Sequence, residues 1–255
     1  LNKDKYEITP IYISSDGQWY KYTKQIEEIE ILPIGSQIEE KDKIINIEKT
    51  IKEFDVIFPV LHGVGGEDGS IQGMLELFNV PYVGCGVLAS SVGMDKVYTK
   101  IIFDKANIKQ TKYEYIKRVE DQYIYIDKNF NEEKLELDNI TKKINERLIY
   151  PMFIKPSNSG SSVGITKALN IEELKKGIEY ASKFDRKVLI EQGIIGKEVE
   201  CAVLGNEEVI SSCVGEIKPA EEFYSFDAKY KNQESKTLIP ADLSKEISNE
   251  IRSLA

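Results

Sequence analysis

The chain has few of the residues from which metal centres and disulfide frameworks are built. It contains one histidine and three cysteines in 255 residues. With His62 as the only histidine, a histidine metal cluster and a conventional histidine dyad are excluded. Cys85, Cys201 and Cys213 are odd in number and lack the close paired spacing of a zinc site, so we expect free, buried thiols.

Long apolar runs and an excess of positive charge are also absent. No run approaches the roughly 18 apolar residues needed to span a bilayer, and the N-terminus lacks the charged-then-apolar order of a signal peptide. The formal net charge of −9 would repel nucleic acid and anionic lipid over most of the surface. We therefore expect a folded cytoplasmic protein that acts on small molecules, with no nucleic-acid or membrane partner.

The first third of the chain has the pattern of an α/β unit. Residues 6–13 and 19–20 flank a Ser-Asp-Gly turn and predict a hairpin. Residues 55–61 are nearly all apolar, which predicts a strand covered on both faces. A glycine-rich loop, a helix with apolar residues at 71, 74, 75 and 78, and a short strand from 81 to 84 follow.

Later segments alternate strands with helices. The predicted helices cover 95–106, a segment capped by Asn170 with Glu173 in the capping-box position, and a last helix from about 244. The predicted strands lie within 113–126, 150–155, 187–191, 198–204 and 209–214. Residues 218–241 show no period yet carry four aromatic residues, which is typical of a functional lid. The final apolar stripe has no later partner and the chain starts just ahead of a strand, so we interpret both ends as cut.

Two loops carry residues suited to chemistry. From Lys155 to Gly164, small and hydroxyl-bearing residues follow a lysine at the end of a strand, a composition that lets backbone N–H groups approach an anion. The same composition also occurs in ordinary surface loops. The second loop, from His62 to Gly69, follows the apolar strand 55–61, where open parallel sheets bind ligands. Its histidine is suited to hydrogen bonding with substrate, and capping of the next helix is the alternative role for Glu67 and Asp68.

These loops occur together with four further motifs in the order found in one enzyme family. The motifs are Gly93-Met94-Asp95-Lys96, Glu191, Gly196-Lys197-Glu198-Val199-Glu200 and Phe223-Tyr224-Ser225-Phe226-Asp227-Ala228-Lys229-Tyr230. The ordered set resembles D-alanine-D-alanine ligases over nearly the whole chain. The resemblance implies an α/β (α+β) protein with the ATP-grasp fold behind an N-terminal parallel-sheet α/β domain whose first strand is missing. The implied domains are 1–94, 95–188 and a partial 189–255 with the lid at 218–241.

The resemblance also assigns roles to individual residues. Nucleotide binding falls to Lys96, Lys155 and Ser162 beside the phosphates, Glu191 beside the adenine and Glu198 at the ribose. Catalysis and substrate positioning fall to Ser161 and Tyr230 at the lid, Lys229 at the γ-phosphate, and His62 and Glu67 at the amino-acid side. Surface charge is the alternative for the two nucleotide lysines, and solvent exposure on a strand is the alternative for Glu198.

The implied reaction is the ATP-dependent joining of two D-alanines for peptidoglycan synthesis, with ATP and magnesium or manganese as cofactors. The family's metal ligands are expected beyond the last residue of this chain, so no metal ligand is assigned. Family members are commonly homodimers, and we expect the same here. Two alternatives stay open: a D-alanine-D-serine or D-alanine-D-lactate ligase, and a non-catalytic nucleotide-binding fragment.

Overall fold

A computed structural model describes residue 2 and residues 4–22, 40–218 and 236–255. The chain divides into two compact units. The first comprises Leu1–Pro59 and Gln72–Gly84, and the second comprises Val60–Ile71 and Cys85–Ala255. The three-part division predicted from the sequence, at 1–94, 95–188 and 189–255, stays a prediction. Within the described ranges, no helix is both long enough and apolar enough to cross a membrane.

The first unit contains the predicted hairpin and two helical segments. Strands β1 (Ile11–Ile13) and β2 (Trp19–Lys21) pair antiparallel. Gly17, with a φ of 81°, makes the turn between them, a conformation that favours glycine. Helix α1 (Ile47–Ile51) follows a short 3-10 turn. Helix α2 (Ser70–Leu77), which belongs to this unit from Gln72 onwards, has the predicted apolar face with Leu75 buried.

The predicted strand at 55–61 is not a buried strand among the described residues. Its only bridge there is parallel, between Ile57 and Tyr82. Val56, Phe58 and Val60 are 46%, 54% and 71% exposed. The prediction was wrong because an apolar run is buried on both faces only where neighbouring strands and helices cover it. In the described residues this run has a partner at one position.

The second unit is built on a six-stranded sheet in which every neighbouring pair is antiparallel. The spatial order is β5-β4-β3-β8-β6-β7. The strands are β3 (Tyr113–Val119), β4 (Gln122–Ile126), β5 (Glu132–Leu135), β6 (Met152–Pro156), β7 (Thr166–Ala168) and β8 (Lys187–Gln192). β8 thus joins a three-stranded meander on one side to a hairpin on the other.

Helices cover both faces of this sheet, because its strands alternate apolar residues between the two sides. Helices α5 (Leu137–Asn145) and α6 (Ile171–Ala181) pack on one face, against side chains such as Ile116, Ile154 and Ile190. Helix α4 (Lys96–Lys105) packs on the other face, against Tyr115 and Leu189, and follows helix α3 (Val87–Met94). The predicted cap of α6 is confirmed, since the Glu173 N–H donates to Asn170 Oδ1 at 2.9 Å.

Smaller elements complete the second unit. β9 (Glu198–Glu200), β12 (Gly215–Lys218) and β13 (Lys236–Leu238) form a three-stranded antiparallel sheet. β10 (Val203–Gly205) and β11 (Val209–Ser211) form the predicted hairpin, and α7 (Lys245–Leu254) is the predicted last helix. Most of the predicted lid lies outside the described residues, but β13 gives regular structure to a part predicted to have none.

The cysteines correct one expectation. They are free, as expected, but Cys85 and Cys213 are exposed and Cys201 is partly exposed. The physical reason is their position. Cys85 lies in the loop before α3, and the other two lie beside the short strands of the small sheet, outside both hydrophobic cores.

Candidate functional site

A buried carboxylate on β8 is held between two lysines. Glu191 is on the α4 face of the sheet, with 10% of its side chain exposed. Its Oε1 lies 2.6 Å from Lys100 Nζ of α4 and its Oε2 lies 2.6 Å from Lys155 Nζ of β6. Burial raises the pKa of the Glu191 carboxyl, but Lys155 and Lys100 outweigh burial and hold the pKa below its usual value. Glu191 is therefore ionised and forms ion pairs with two lysines.

A second buried ion pair fixes the start of α4 to the serine-rich and glycine-rich loop. Asp95 caps the helix by accepting from the Tyr98 N–H at 3.2 Å. It also accepts from Ser157 Oγ at 2.5 Å and from Lys187 Nζ. Burial raises the pKa of Asp95, but the hydrogen bonds from Lys187 and Ser157 prevail and lower it. Asp95 thus connects the start of α4 to the loop after β6, through Ser157, and to β8, through Lys187.

Lys96 lies over the same loop. Its Nζ donates to the Ser157 carbonyl at 3.4 Å and to the Ser159 carbonyl. Burial lowers the pKa of Lys96, and the nearby charge of Lys155 lowers it further. Lys96, Lys100 and Lys155 thus gather around one glutamate, which leaves an excess of positive charge beside the loop.

The loop after β6 is held in an unusual backbone conformation. Ser161, Ser162 and Gly164 have φ values of 51°, 60° and 76°. Two consecutive serines in the left-handed region carry a conformational cost, and such strain is concentrated at ligand-binding sites. The loop is pinned at its start, because the N–H and side-chain amide of Asn158 donate to Asp185 Oδ2 at 2.7 and 2.9 Å. Its shape is set before any ligand arrives.

The second loop, 62–69, is closed by its own acidic residues. Glu67 accepts from the Gly63 N–H, and Asp68 accepts from the Gly65 N–H at 2.8 Å and from the Ser70 N–H at 3.0 Å. Asp68 therefore caps α2, whereas Glu67 closes the loop. The two loops meet, since a Cβ added to Gly160 would lie 3.6 Å from the Cα of Gly63.

The structure brings the sequence-predicted residues together only in part. It places Lys96, Lys155 and Glu191 in one cluster, with Ser161 and Ser162 in the loop that follows Lys155. The side chain of His62 is 76% exposed, with Nδ1 3.8 Å from Glu67 Oε1. Glu198 is exposed on β9, in the smaller sheet. Lys229 and Tyr230 lie outside the described residues.

Sequence reasoning missed three members of the cluster. Lys100, Ser157 and Lys187 were given no role, although the two lysines each have a local signal. Lys100 follows Lys96 by one helical turn and so shares its side of α4. Lys187 and Glu191 point to the same face of β8, because alternate residues of a strand do so. These signals predict which face of a helix or strand a side chain occupies, but not which residue it contacts. The contacting residues come from segments that are distant in sequence.

The arrangement is suited to binding an anion that reaches the loop. It combines the three lysine ammonium groups, small residues and a preformed left-handed turn, the features that receive phosphate groups. In the part of the chain that the structure describes, no three His, Cys, Asp or Glu side chains are grouped to hold a metal ion. The cluster can thus supply positive charge, but the described residues supply no metal centre.

Family models match most of the chain. The model for the D-ala D-ala ligase N-terminus matches residues 1–85, and the model for the D-ala D-ala ligase C-terminus matches residues 120–255. A D-alanine-D-alanine ligase of Acetivibrio thermocellus is 47% identical over 279 residues, which cover 100% of this chain and 71% of the relative. One of Clostridium acetobutylicum is 46% identical over 260 residues, with the same coverage of 100% and 71%.

Solved structures agree with this result. The D-Ala:D-Ser ligase VanG of Enterococcus faecalis has a TM-score of 0.77 and 34% identity, covering 99% of this chain and 72% of that one. The D-alanine-D-alanine ligase of Coxiella burnetii has a TM-score of 0.74 and 26% identity, covering 100% and 67%. The predicted fold class is confirmed: the protein is a mixed α/β protein with the ATP-grasp fold of these ligases.

Proposed function

The chain belongs to the D-alanine-D-alanine ligase family, and on that premise we propose that it joins two D-alanines in an ATP-dependent reaction. The product, D-alanyl-D-alanine, serves peptidoglycan precursor synthesis. The relatives that support this proposal match the whole chain, and each is named for the same reaction.

One structural observation carries the proposal. Lys96, Lys100 and Lys155 surround a single buried glutamate beside a strained serine-rich and glycine-rich loop. A triphosphate is the part of ATP that needs such a surplus of positive charge. We assign Lys96, Lys155 and the backbone at Ser162 to the phosphates. Glu191 is assigned to the adenine side.

The reaction needs charge compensation and exclusion of water. The carboxylate of one D-alanine attacks the γ-phosphate and forms an acyl phosphate, and the amine of the second D-alanine then displaces phosphate. Two anions meet in the first step, so lysine ammonium groups lower its barrier. Lys229 is proposed at the γ-phosphate, and Ser161 with Tyr230 is proposed to keep water from the acyl phosphate.

The remaining assignments follow from family membership. We propose that Glu198 meets the ribose and that His62 and Glu67 contact the amino acids. Magnesium is proposed as the metal, with no step assigned to it because the described residues offer no metal cluster. A homodimer is the proposed assembly, which light scattering at several concentrations tests.

The nucleotide site is tested by removing Lys155. Calorimetry with a non-hydrolysable ATP analogue, on protein expressed from its complete gene, should show binding weakened by about 1 to 3 kcal/mol in Lys155→Ala, the scale of a lost charged hydrogen bond. Lys175→Ala is the matched control, since Lys175 pairs with Asp138 on the opposite face of the sheet. Equal affinities in all three proteins would refute the site.

A second candidate function is the ligation of D-alanine to D-serine. Its support is the likeness to the Enterococcus faecalis D-Ala:D-Ser ligase at 34% identity. Offering D-alanine, D-serine and D-lactate as acceptors, with the products identified by mass spectrometry, separates the candidates. We expect D-alanyl-D-alanine to form fastest. Nucleotide binding without any product would instead indicate a non-catalytic protein.

A further inference from the structure

The two lysines on Glu191 are held unequally. Lys100 is the more fixed: its side chain is 13% exposed, and its Nζ lies 3.3 Å from Gln110 Oε1 and 5.1 Å from the centre of the Tyr113 ring. Gln110 in turn donates to the Lys100 carbonyl at 2.8 Å. Lys100 is therefore held at both its backbone and its ammonium group.

Lys155 is held more loosely. Its side chain is 26% exposed, and Glu191 is its ion-pair partner among the described residues. The Phe153 ring lies 5.9 Å from its Nζ. Lys155 is also the penultimate residue of β6, and only Pro156 separates it from the loop of residues 157–164. Of the two cations it is the one that can leave Glu191 for a phosphate.

A departure of Lys155 has a consequence for Glu191. The carboxylate is buried, and a buried carboxylate that loses its only cation is strongly destabilised. With Lys100 in place, Glu191 keeps one cation at 2.6 Å after Lys155 leaves. Without Lys100, the same movement would leave the charge unpaired, so Lys155 would stay on Glu191.

We propose that Lys100 is a positioning residue for the ligase reaction: it neutralises Glu191 so that Lys155 is free to bind the nucleotide phosphates. This role rests on the proposed nucleotide site and assigns within it a residue that contacts no nucleotide. Lys100 acts through Glu191, and Glu191 forms the ion pair that retains Lys155 in the unliganded protein.

A double-mutant cycle tests this role. Lys100→Met removes the charge and keeps most of the length, and ATP affinity should fall at least about 10-fold. In the Glu191→Gln background no carboxylate holds Lys155, so adding Lys100→Met should lower affinity less than about 2-fold. An equal loss in both backgrounds, or no loss in either, would overturn the role of Lys100. Lys105→Met, an exposed position on the same helix, is the control.

Two further measurements separate charge from structure. Lys100→Arg keeps the cation and should bind ATP nearly as well as the native protein, whereas a loss equal to that of Lys100→Met would refute charge compensation. The affinity for adenosine, which lacks phosphates, should be unchanged in Lys100→Met, and a parallel loss would indicate a distorted site and refute the proposal. A native protein that binds no ATP would instead refute the nucleotide site itself.

Discussion

Lys96 holds a charge that its surroundings disfavour. Burial is the main cause of its lowered pKa, and the charge of Lys155 adds to it. Phosphate groups beside Lys96 would favour the charged form and raise the pKa again. Between the lower pKa of the free protein and the higher pKa of the complex, nucleotide binding takes up a proton. Affinity is then greatest below the free-protein pKa and falls as the pH rises through it.

This linkage is measured by calorimetry in two buffers with different ionisation enthalpies. As the pH is raised towards 10.5, the ordinary lysine value, we expect the apparent enthalpy of ATP-analogue binding to differ between the buffers. Lys96→Arg stays charged throughout, so the difference should vanish in that variant. Proton uptake that persists in Lys96→Arg would show that another group titrates.

The sequence predicted some members of the site and not others. Lys155 and Glu191 were found from motifs, and the structure places their charges in contact. Lys100 and Lys187 were missed because each forms an ion pair with a residue that is distant in sequence. Lys100 pairs with Glu191, and Lys187 pairs with Asp95. A pattern within one helix or strand gives the face of a side chain, but not what packs against that face.

At the scale of single elements, the closeness of α6 to the sheet depends on one glycine. A Cβ at Gly177 would lie 2.6 Å from Thr166 Oγ1 and 3.0 Å from Ile154 Cδ1, both on the strands below. Ile154 is fully buried, so it could yield to an added methyl group only by displacing other core side chains. Gly177 therefore allows a close approach of helix and sheet, although glycine is a poor helix former.

Gly177→Ala should lower the free energy of unfolding by about 1 to 3 kcal/mol, because overpacking outweighs the gain in helix propensity. Gly93→Ala is the matched control. Gly93 is also helical, but nothing lies within 4 Å of an added Cβ. There the change should raise stability by up to about 1 kcal/mol. Chemical denaturation measures both, and a loss of equal size in the two variants would contradict the packing argument.

Element predictions succeeded where the pattern was local. The helices α4, α6 and α7 were predicted from local sequence, and the one cap that was predicted, Asn170 of α6, is confirmed. The structure adds the caps of the other two helices, Asp95 and Ser244. The strand at 55–61 was predicted from composition alone and failed in the described residues, because burial of a strand depends on neighbours that its own sequence does not specify. The pairing of β3 with β8 was not predicted for the same reason.

At the scale of the whole molecule, a hydroxyl in one loop is expected to act with a hydroxyl in the segment after β12. Ser161 is held in a left-handed conformation, and Tyr230 is its proposed partner by family membership. If the two hydroxyls close the site together, removing both should cost little more than removing one. In a variant that lacks either hydroxyl, water would reach the acyl phosphate and hydrolyse it. Phosphate release would therefore exceed dipeptide formation.

The measurement is the ratio of phosphate to dipeptide for Ser161→Ala, Tyr230→Phe and the double variant. Tyr230→Phe keeps the ring, so it removes only the hydroxyl. Tyr123→Phe is a suitable control, because Tyr123 lies on β4, which β3 and β8 separate from β6 and the loop after it. Fully additive losses with an unchanged ratio would show that the two hydroxyls act separately.

The position of β8 also determines when the large sheet closes during synthesis on the ribosome. The β3-β4-β5 meander and the β6-β7 hairpin each pair from residues that emerge close together. The meander exposes one edge of β3 and the hairpin exposes one edge of β6. Both edges pair with β8, so they have no partner until residues 187–192 have been translated. Open strand edges bind other chains readily, and pairings between distant segments form slowly. A nascent chain that has not yet reached β8 would therefore be a target for chaperones, and one that has passed β8 would have lost both exposed edges.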